Sequence, residues 1–455
     1  MTNDENADDA SLLSHALTSE ATAVLGPAAV DVLAALRADS SRSALATLAF
    51  RFTPSSSSSD ARSADDATRR YRNCVWALRV LLERVLSPTA SATGPVGLAS
   101  RACCVARLVE AQLLAQQFTV WCRQSRVRAP RGAVTRWLLT TRLLEPAHAG
   151  DWLLPSSAAR DGGLEHELLR AGASPDAVLR LGASLAQASR RAAERVLRLA
   201  AADGAAPNAP SSLGASARDF VAYAEQVSVE RRADLQRRFV GAEPFERMLF
   251  CVLSTYAALG CEPRGGEGYH AAVTAPTFAA LRAELGVTAE CFASPLNCTL
   301  PQYSSAFGDT FERSFGSSGS FFAAASVARL IADGGAFEAN PPFLEEHMLA
   351  MALTMELCLQ RCRAPLTFAV FVPQWRDSPY FELLHRSRFT RFERDAVKGE
   401  HEYTRGLGHL PQSGAPKLVA YADTTVFFVQ NDAAWTERPI TDAQVEAVMN
   451  SMKKR

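Results

Sequence analysis

Asn340-Pro341-Pro342-Phe343 is a tetrapeptide whose groups suit one kind of reaction. Pro341 pushes Asn340 out of the α region, and Pro342 fixes a second φ near about −65°. The turn is stiff and lacks two backbone donors, which frees its carbonyls to accept hydrogen bonds from a ligand. Asn340 adds a side-chain acceptor and Phe343 a flat apolar face. An exocyclic adenine amine is a poor nucleophile, because its lone pair is delocalised into the ring. Two acceptors, the Asn340 side-chain oxygen and the Pro341 carbonyl, can hold both of its N–H groups and favour a more pyramidal, electron-rich nitrogen. With Phe343 stacked on the base, a methyl donor held in line about 3–3.5 Å away permits direct displacement by positioning and electrostatics. No strong general base is required, since the proton can leave after transfer. The alternative reading is a rigid strand-to-helix turn with Phe343 in the core.

Two further segments could wall such a site. In Glu290-Cys-Phe-Ala-Ser-Pro-Leu-Asn297, the small residues Ala293 and Ser294 would let a cofactor approach the backbone; no Gly-x-Gly is present, and a plain strand-turn fits as well. The Gly/Ser-rich stretch Asp309–Ser320, with Phe311 and Phe315, could line an adenosine or methionine pocket or form an ordinary surface loop. Arg123, Arg128 and Arg131, with Arg136 and flanked by Trp121 and Trp137, are a basic-aromatic cluster able to grip phosphates and a flat base; a solvated helix end is the competing reading. Arg231, Arg232, Arg237 and Arg238 form a second cluster. Trp375-Arg376 follows a strand and should lie near the same rim as Asn340, where it either shapes an entrance or simply packs. Glu400-His401-Glu402-Tyr403 lacks companion ligands at metal-binding spacing, so a structural or substrate-orienting role is expected there, and no metal. No G-x-S-x-G or G-x-x-x-x-G-K-[ST] pattern occurs.

The elements that must position these groups divide the chain. Residues 1–66 read as a helical or disordered segment ending in the Ser-rich linker around Pro54–Asp60. Residues 67–240 carry helical periodicity almost throughout, for example Val75, Leu78, Leu82 and Val85, or Val105, Leu108, Val109, Leu113 and Leu114. Leu179, Leu181, Leu185, Val196, Leu197 and Leu199 continue it, with breaks at Ser87-Pro88, Ala129-Pro130 and Gly204–Pro210. From 241 to 435 short apolar runs alternate with amphipathic ones. Ala289–Ala293, Gly335–Ala339 and Leu366–Val372 are expected strands, and Thr277–Leu285 and Leu344–Arg361 helices. Pro416–Tyr421 and Thr424–Val429 are expected to form a hairpin, and 436–455 a C-terminal tail. This is an α/β class with a sheet carrying an antiparallel edge, whose ligands belong beyond the carboxyl ends of the strands.

Composition sets the outer limits. The 455 residues hold 48 Lys+Arg and 48 Asp+Glu, and this balance excludes a wholly basic, histone-like polyanion binder. Only four of the basic residues are Lys, a skew that reads as base composition of the coding DNA and weakens any argument from Arg counts. No apolar run approaches the roughly 18–20 residues of a membrane span, and the acidic start has no signal-like apolar stretch. The ten Cys contain no C-x-x-C, so reduced thiols are expected.

Residues from about Tyr269 to Asp432 resemble the catalytic domain of the cap-specific adenosine N6-methyltransferases, the phosphorylated-CTD-interacting-factor family. The resemblance is carried by Glu290–Asn297, Gln302-Tyr303, Ser305–Thr310, Phe315–Ser317, Gly319–Phe321, Phe337–Phe343, Phe371–Arg376, Ser387–Phe389, Glu400–Tyr403 and Gln430–Asp432, in order. It implies a Rossmann-like class I methyltransferase domain preceded by an all-α domain, and S-adenosyl-L-methionine as cofactor. It implies methylation of N6 of the cap-adjacent adenosine of 7-methylguanosine-capped mRNA, hence a capped mRNA 5′ end as partner and a nuclear site of action, with the cytoplasm as the alternative. Internal RNA or DNA adenine methylation, or non-catalytic cap or RNA binding, are the alternatives. By motif match Asn340, Pro341, Pro342 and Phe343 become the amine-binding catalytic turn. The cofactor assignment to Ala293, Ser294, Pro295, Asn297, Phe315, Gly316 and Glu338 rests on strand-end position. Animal members carry an N-terminal WW module that reads phosphorylated polymerase tails. No Trp precedes Trp76 and no three-stranded pattern appears there, so this module, and polymerase-tail binding with it, is expected to be lacking.

Overall fold

The computed structural model describes residues 100–144, 151–156, 162–203, 227–260, 267–308, 310–406 and 417–454. The expectations for 1–66, for the helix around Val75–Val85 and for the break at Gly204–Pro210 lie outside them.

The first described part is helical: α1 (Arg101–Gln124), α2 (Ala133–Leu144), α3 (Gly162–Arg170), α4 (Pro175–Asp203), α5 (Val229–Arg238) and α6 (Phe245–Ala258). Ser100 caps α1 by accepting from the Cys103 amide at 3.2 Å, and the α1–α2 break falls at Ala129-Pro130 as expected. The buried face of α1 runs Cys104, Arg107, Leu108, Ala111, Leu114, Phe118 and Cys122, a 3.6-residue stripe that packs on α4 and α6. In α4 the apolar stripe differs from the expected one. Leu181, Leu185 and Val196 are buried, while Leu179, Leu197 and Leu199 face solvent, where periodicity had grouped all of them. The helix α6 lies beyond the 240/241 boundary yet packs in the same cluster, which also takes in Phe307, Phe311 and Phe315.

The sheet follows: β1 (Ala272–Val273), α7 (Ala275–Leu285), β2 (Ala289–Ala293), β3 (Gln302–Ser305), α8 (Ala324–Asp333), β4 (Gly335–Ala339), α9 (Glu345–Arg361), β5 (Leu366–Pro373), α10 (Pro379–Arg386), β6 (Thr390–Ala396), β7 (Glu402–Thr404), β8 (Lys417–Val419), β9 (Thr424–Gln430), α11 (Asp432–Glu437) and α12 (Asp442–Met452). Six strands stand in the order β3-β2-β4-β5-β9-β6, with β2–β3, β2–β4 and β4–β5 parallel and β9 antiparallel to both neighbours. All eight residues of β5 are buried, as a strand covered on both faces requires.

The expected hairpin of β8 and β9 does not form. The strand β8 pairs with β7 in a separate three-stranded sheet, order β1-β7-β8, and Ala420–Asp423 carries the chain into the main sheet. Every residue of β9 is buried, so it needs partners on both edges and sits between β5 and β6 rather than at the rim. The expected tail is likewise a helix. A Thr441/Gln444 capping box starts α12, and Val445, Val448 and Met452 are buried where it packs on α7. Among the described residues, no helix is long and apolar enough to cross a membrane.

Candidate active site at the switch point of the sheet

The chain leaves β2 toward β3 on one side, then returns across it to β4 on the other. This reversal opens a crevice beyond the carboxyl ends of β2 and β4, the usual ligand position in such sheets. It brings together Ala293–Asn297 after β2 and Asn340–Phe343 after β4, two of the segments singled out from sequence.

After β2, Asn297 braces its own loop. Its Oδ1 accepts from the Ser294 amide at 2.7 Å and from Ser294 Oγ at 2.9 Å, and its Nδ2 donates to the His270 carbonyl at 3.1 Å. Ser294 Oγ also accepts from the Leu296 amide at 3.2 Å. Asn297 is thus tied up holding the turn, and Ser294 and Pro295 are buried within it, with Ala293 half-buried at the strand end.

After β4, Asn340 Nδ2 donates to the Ala271 carbonyl at 2.8 Å. Asn340 is 6% exposed, and its Oδ1 is buried without a partner among the described residues. The amide is therefore clamped at its donor end, with its acceptor end unmet. The Pro342 carbonyl accepts from the Leu344 amide at 2.7 Å, whereas no described residue donates to the Pro341 carbonyl. The two acceptors expected from sequence both lack a donor among the described residues. His270 and Ala271, which sequence reasoning passed over, fasten both strand-end loops through adjacent carbonyls.

Phe343 is half-buried and meets Tyr403 edge-on, with ring centroids 6.1 Å apart. It lines a shallow cleft with Ala271, Tyr403, Leu418, Ala420, Tyr421 and Thr424. Tyr421 is 58% exposed on the Ala420–Asp423 corner, facing this aromatic floor. Reading β8 and β9 as a hairpin hid this residue, which then counted only as a strand end. Thr424 Oγ1 lies 2.9 Å from both Tyr403 Oη and His401 Nε2, and His401 Nδ1 is 2.8 Å from the Val397 carbonyl. Both His401 nitrogens are thereby engaged, and burial lowers its pKa, which makes it a brace under the cleft.

Beneath the crevice, Glu290 and Glu338 stand opposite each other in the parallel register of β2 and β4, 2% and 1% exposed. Glu290 Oε1 accepts from the Thr299 and Leu300 amides at 2.7 and 2.6 Å. Burial raises its pKa to about 7, against the lowering effect of those amides and of Arg238 and Arg231. Glu338 Oε2 is buried with no partner among the described residues.

The remaining expected residues lie elsewhere. Phe315 is fully buried, its ring packed on Phe239 and Phe245 inside the helical cluster, so it is a core side chain and not a pocket wall. Gly316, at φ 90°, turns the chain so that Ser317 bridges to Tyr303 and covers the outer edge of β3, one strand beyond the switch point. Arg123 in the last turn of α1, and Arg128 and Arg131 on the α1–α2 connection, are exposed and make no ion pair among the described residues. The second cluster is structural: Arg231 and Arg238 donate to the Cys298 and Leu300 carbonyls, both at 3.0 Å, pinning α5 to the loop after β2. Trp375 is 41% exposed, while Arg376 is occupied by Asp395 at 2.7 Å and Glu393 at 3.6 Å.

A mostly parallel six-stranded sheet flanked by helices, with its loops converging at one switch point, is a mixed α/β arrangement compatible with a methyltransferase fold. A protein-family model described as the phosphorylated CTD interacting factor 1 WW domain matches residues 234–406. The chain is 40% identical over 204 residues to a human protein named mRNA (2'-O-methyladenosine-N(6)-)-methyltransferase, and 38% identical to its mouse counterpart of the same name. Each match covers 43% of this chain and 28% of the relative, so the chain spans little more than a quarter of these relatives' length. The family match corrects the expectation that the WW module is lacking. That expectation looked for Trp residues in three short strands ahead of Trp76, whereas the matched residues begin at Asp234 in α5 and end at Gly406 after β7.

Proposed function

We propose that this chain is an S-adenosylmethionine-dependent methyltransferase acting on N6 of the cap-adjacent adenosine of 7-methylguanosine-capped mRNA. In this reading residues 241–435 are a Rossmann-like class I methyltransferase domain, residues 67–240 a preceding helical domain, and the nucleus the site of action. The observation that carries it is the pair of unmet acceptors, Asn340 Oδ1 and the Pro341 carbonyl, at the switch point. A buried acceptor without a donor costs roughly 1–3 kcal/mol, a cost a bound amine would remove.

S-adenosylmethionine would supply an electrophilic methyl carbon. Ala293, Ser294 and Pro295 leave the crevice floor free of bulky side chains, and the unpartnered Glu338 carboxyl beneath it suits a cationic ligand. Asn340 and Pro341 accept the two N–H groups of the adenine amine and turn its lone pair toward the donor. Phe343 supports the base, and the α9 helix behind the turn holds it still. The amine proton leaves to solvent once the new C–N bond has formed. Arg123, Arg128 and Arg131 offer unpaired charge for the phosphates, and Trp375 an exposed ring near the strand ends.

The test is mass spectrometry of nucleosides released from transcripts incubated with protein and S-adenosylmethionine. N6-methylation of capped, adenosine-initiated RNA, and not of the uncapped transcript, is the expected result. Equal methylation of uncapped or internal adenosines would overturn the cap assignment, and no methylated adenosine at all would overturn the activity.

Tyr421 gives a second check. Replacing an aromatic platform with alanine loses about 1–3 kcal/mol per stacked base. Tyr421→Ala should therefore lower kcat/KM for capped RNA roughly tenfold or more, mainly through KM, with Tyr421→Phe close to wild type. Unchanged KM in the alanine variant would remove Tyr421 from the base site.

A further inference from the structure

The buried acid Glu338 takes no part in the methyl-transfer step itself, and its surroundings define what it does for the donor. On β4, Ala336 packs in the cluster that holds Tyr403 and Phe343, whereas Phe337 and Ala339 pack in the cluster of α9. Strand alternation then puts Glu338 and Asn340 on the Tyr403 face, about 6.6 Å apart along the strand. Glu290 shares that face, because residues in parallel register point the same way. Glu290 and Cys291 of β2 and Tyr403 of β7 lie near enough to Glu338 to interact with it electrostatically; its register neighbour on β5 is Ala369. None of them is a cation. Arg231 and Arg238 act on Glu290. Burial, and then the charge of Glu290, push the Glu338 carboxyl well above the usual carboxylate range.

Resting on the donor site proposed above, we infer that Glu338 is protonated in the free protein and releases its proton to solvent when a cationic sulfonium donor binds at the β2–β4 switch point. The step is a single ionisation: the carboxyl O–H breaks, the electron pair stays on oxygen as carboxylate, and the proton passes to buffer. A sulfonium ion supplies the positive charge that this acidic pocket lacks. The thioether left after transfer does not, so the carboxylate would take its proton back and lose its attraction for the product. Glu338 is thus a positioning residue that separates donor from product by charge.

The sign follows from linkage. A group whose pKa is raised in the free protein and lowered in the complex loses a proton on binding, so affinity rises with pH across that window. Calorimetric titration of the full chain with S-adenosylmethionine and with S-adenosylhomocysteine, in buffers of different ionisation enthalpy, counts the protons. The two ligands share amine and carboxylate, so their difference isolates the sulfonium. As pH rises through the range in which Glu338 titrates, the donor-to-product affinity ratio should rise, by up to about tenfold per pH unit, with close to one extra proton released for the donor. In Glu338→Gln the ratio should be flat and the extra proton absent. Equal proton counts for the two ligands in the wild type, or a Gln variant that keeps the rising ratio, overturns the inference and leaves the donor site standing. Failure of both ligands to bind overturns the donor site and the inference together.

Discussion

Asn340→Ala should remain folded and methylate capped RNA at least about a hundredfold more slowly than wild type, the loss seen when one preorganised catalytic hydrogen-bond partner is removed. The side chain makes one described hydrogen bond, to the Ala271 carbonyl, and leaves Oδ1 buried and unmet. Deletion removes a bond whose net contribution is about 1 kcal/mol and also removes an unsatisfied acceptor, so stability changes little. The rate changes much more, because the acceptor matters only when an amine is being made nucleophilic. Asn340→Asp should not rescue. Its carboxylate keeps an acceptor but has no N–H for the Ala271 carbonyl, and two oxygens would face each other where the clamp now holds. Single-turnover rates on capped RNA, beside thermal melts, separate the two effects. An alanine variant within threefold of the wild-type rate would show that the turn is only a structural corner.

What sequence could reveal here depended on how local the signal was. The turn at Asn340–Phe343 was legible because prolines dictate backbone geometry whatever surrounds them, and Asn340 Oδ1 and the Pro341 carbonyl both lack a donor among the described residues. The strands β2, β4 and β5 and the helix α9 were legible from apolar runs with clear stops. Partnership was not. The β8 and β9 runs look like a hairpin, but pairing is decided by which strand has both faces and both edges buried, and β9 takes its partners from residues 366–373 and 390–396. Glu402–Thr404 gave no strand signal because three residues are too few for an alternating pattern, and so the aromatic cleft of Phe343, Tyr403 and Tyr421 was hidden. Phe315 failed for a related reason: a Phe in a Gly/Ser-rich loop reads the same whether it faces a ligand or fills a core. The charge environment of Glu338 depends on the β2–β4 register, which no single segment encodes.

The helical part carries the other large effect. Arg107→Ala should lower unfolding stability by about 3–5 kcal/mol, the range for breaking one side of a buried ion pair. Arg107 and Asp151 are 1% and 7% exposed, joined by Nη2–Oδ2 at 2.7 Å and by Nε at 3.0 and 2.8 Å to the two carboxylate oxygens. The guanidinium also lies over the Trp152 ring, 3.8 Å from its centroid. Removing Arg107 would strand a carboxylate in the core; Asp151→Ala would strand a guanidinium and free the Leu153 and Leu154 amides, which now donate to Asp151 Oδ1 at 2.9 and 3.0 Å. Asp151→Asn should be milder than Asp151→Ala, since the amide oxygen can still accept from both backbone groups. The double variant Arg107→Met/Asp151→Asn should recover part of the loss, because neither partner is then left charged and alone. Urea unfolding of Arg107→Met, Asp151→Asn and their double variant, closed with the wild type as a double-mutant cycle, measures the coupling directly. Single variants that each cost less than about 1 kcal/mol would place this pair with exposed ion pairs, contrary to its burial. The position of the pair makes the outcome matter for the site. Trp152 packs on Phe311 with ring centroids 5.1 Å apart, Phe311 on Phe307 at 5.5 Å, and Phe307 on Tyr256 at 6.0 Å. Tyr256 in turn packs on His270 at 5.4 Å, and the His270 and Ala271 carbonyls hold Asn297 and Asn340. If that packing transmits the damage, the Arg107 variant should lose catalytic rate as well as stability, and the Asp151→Asn variant should keep most of both.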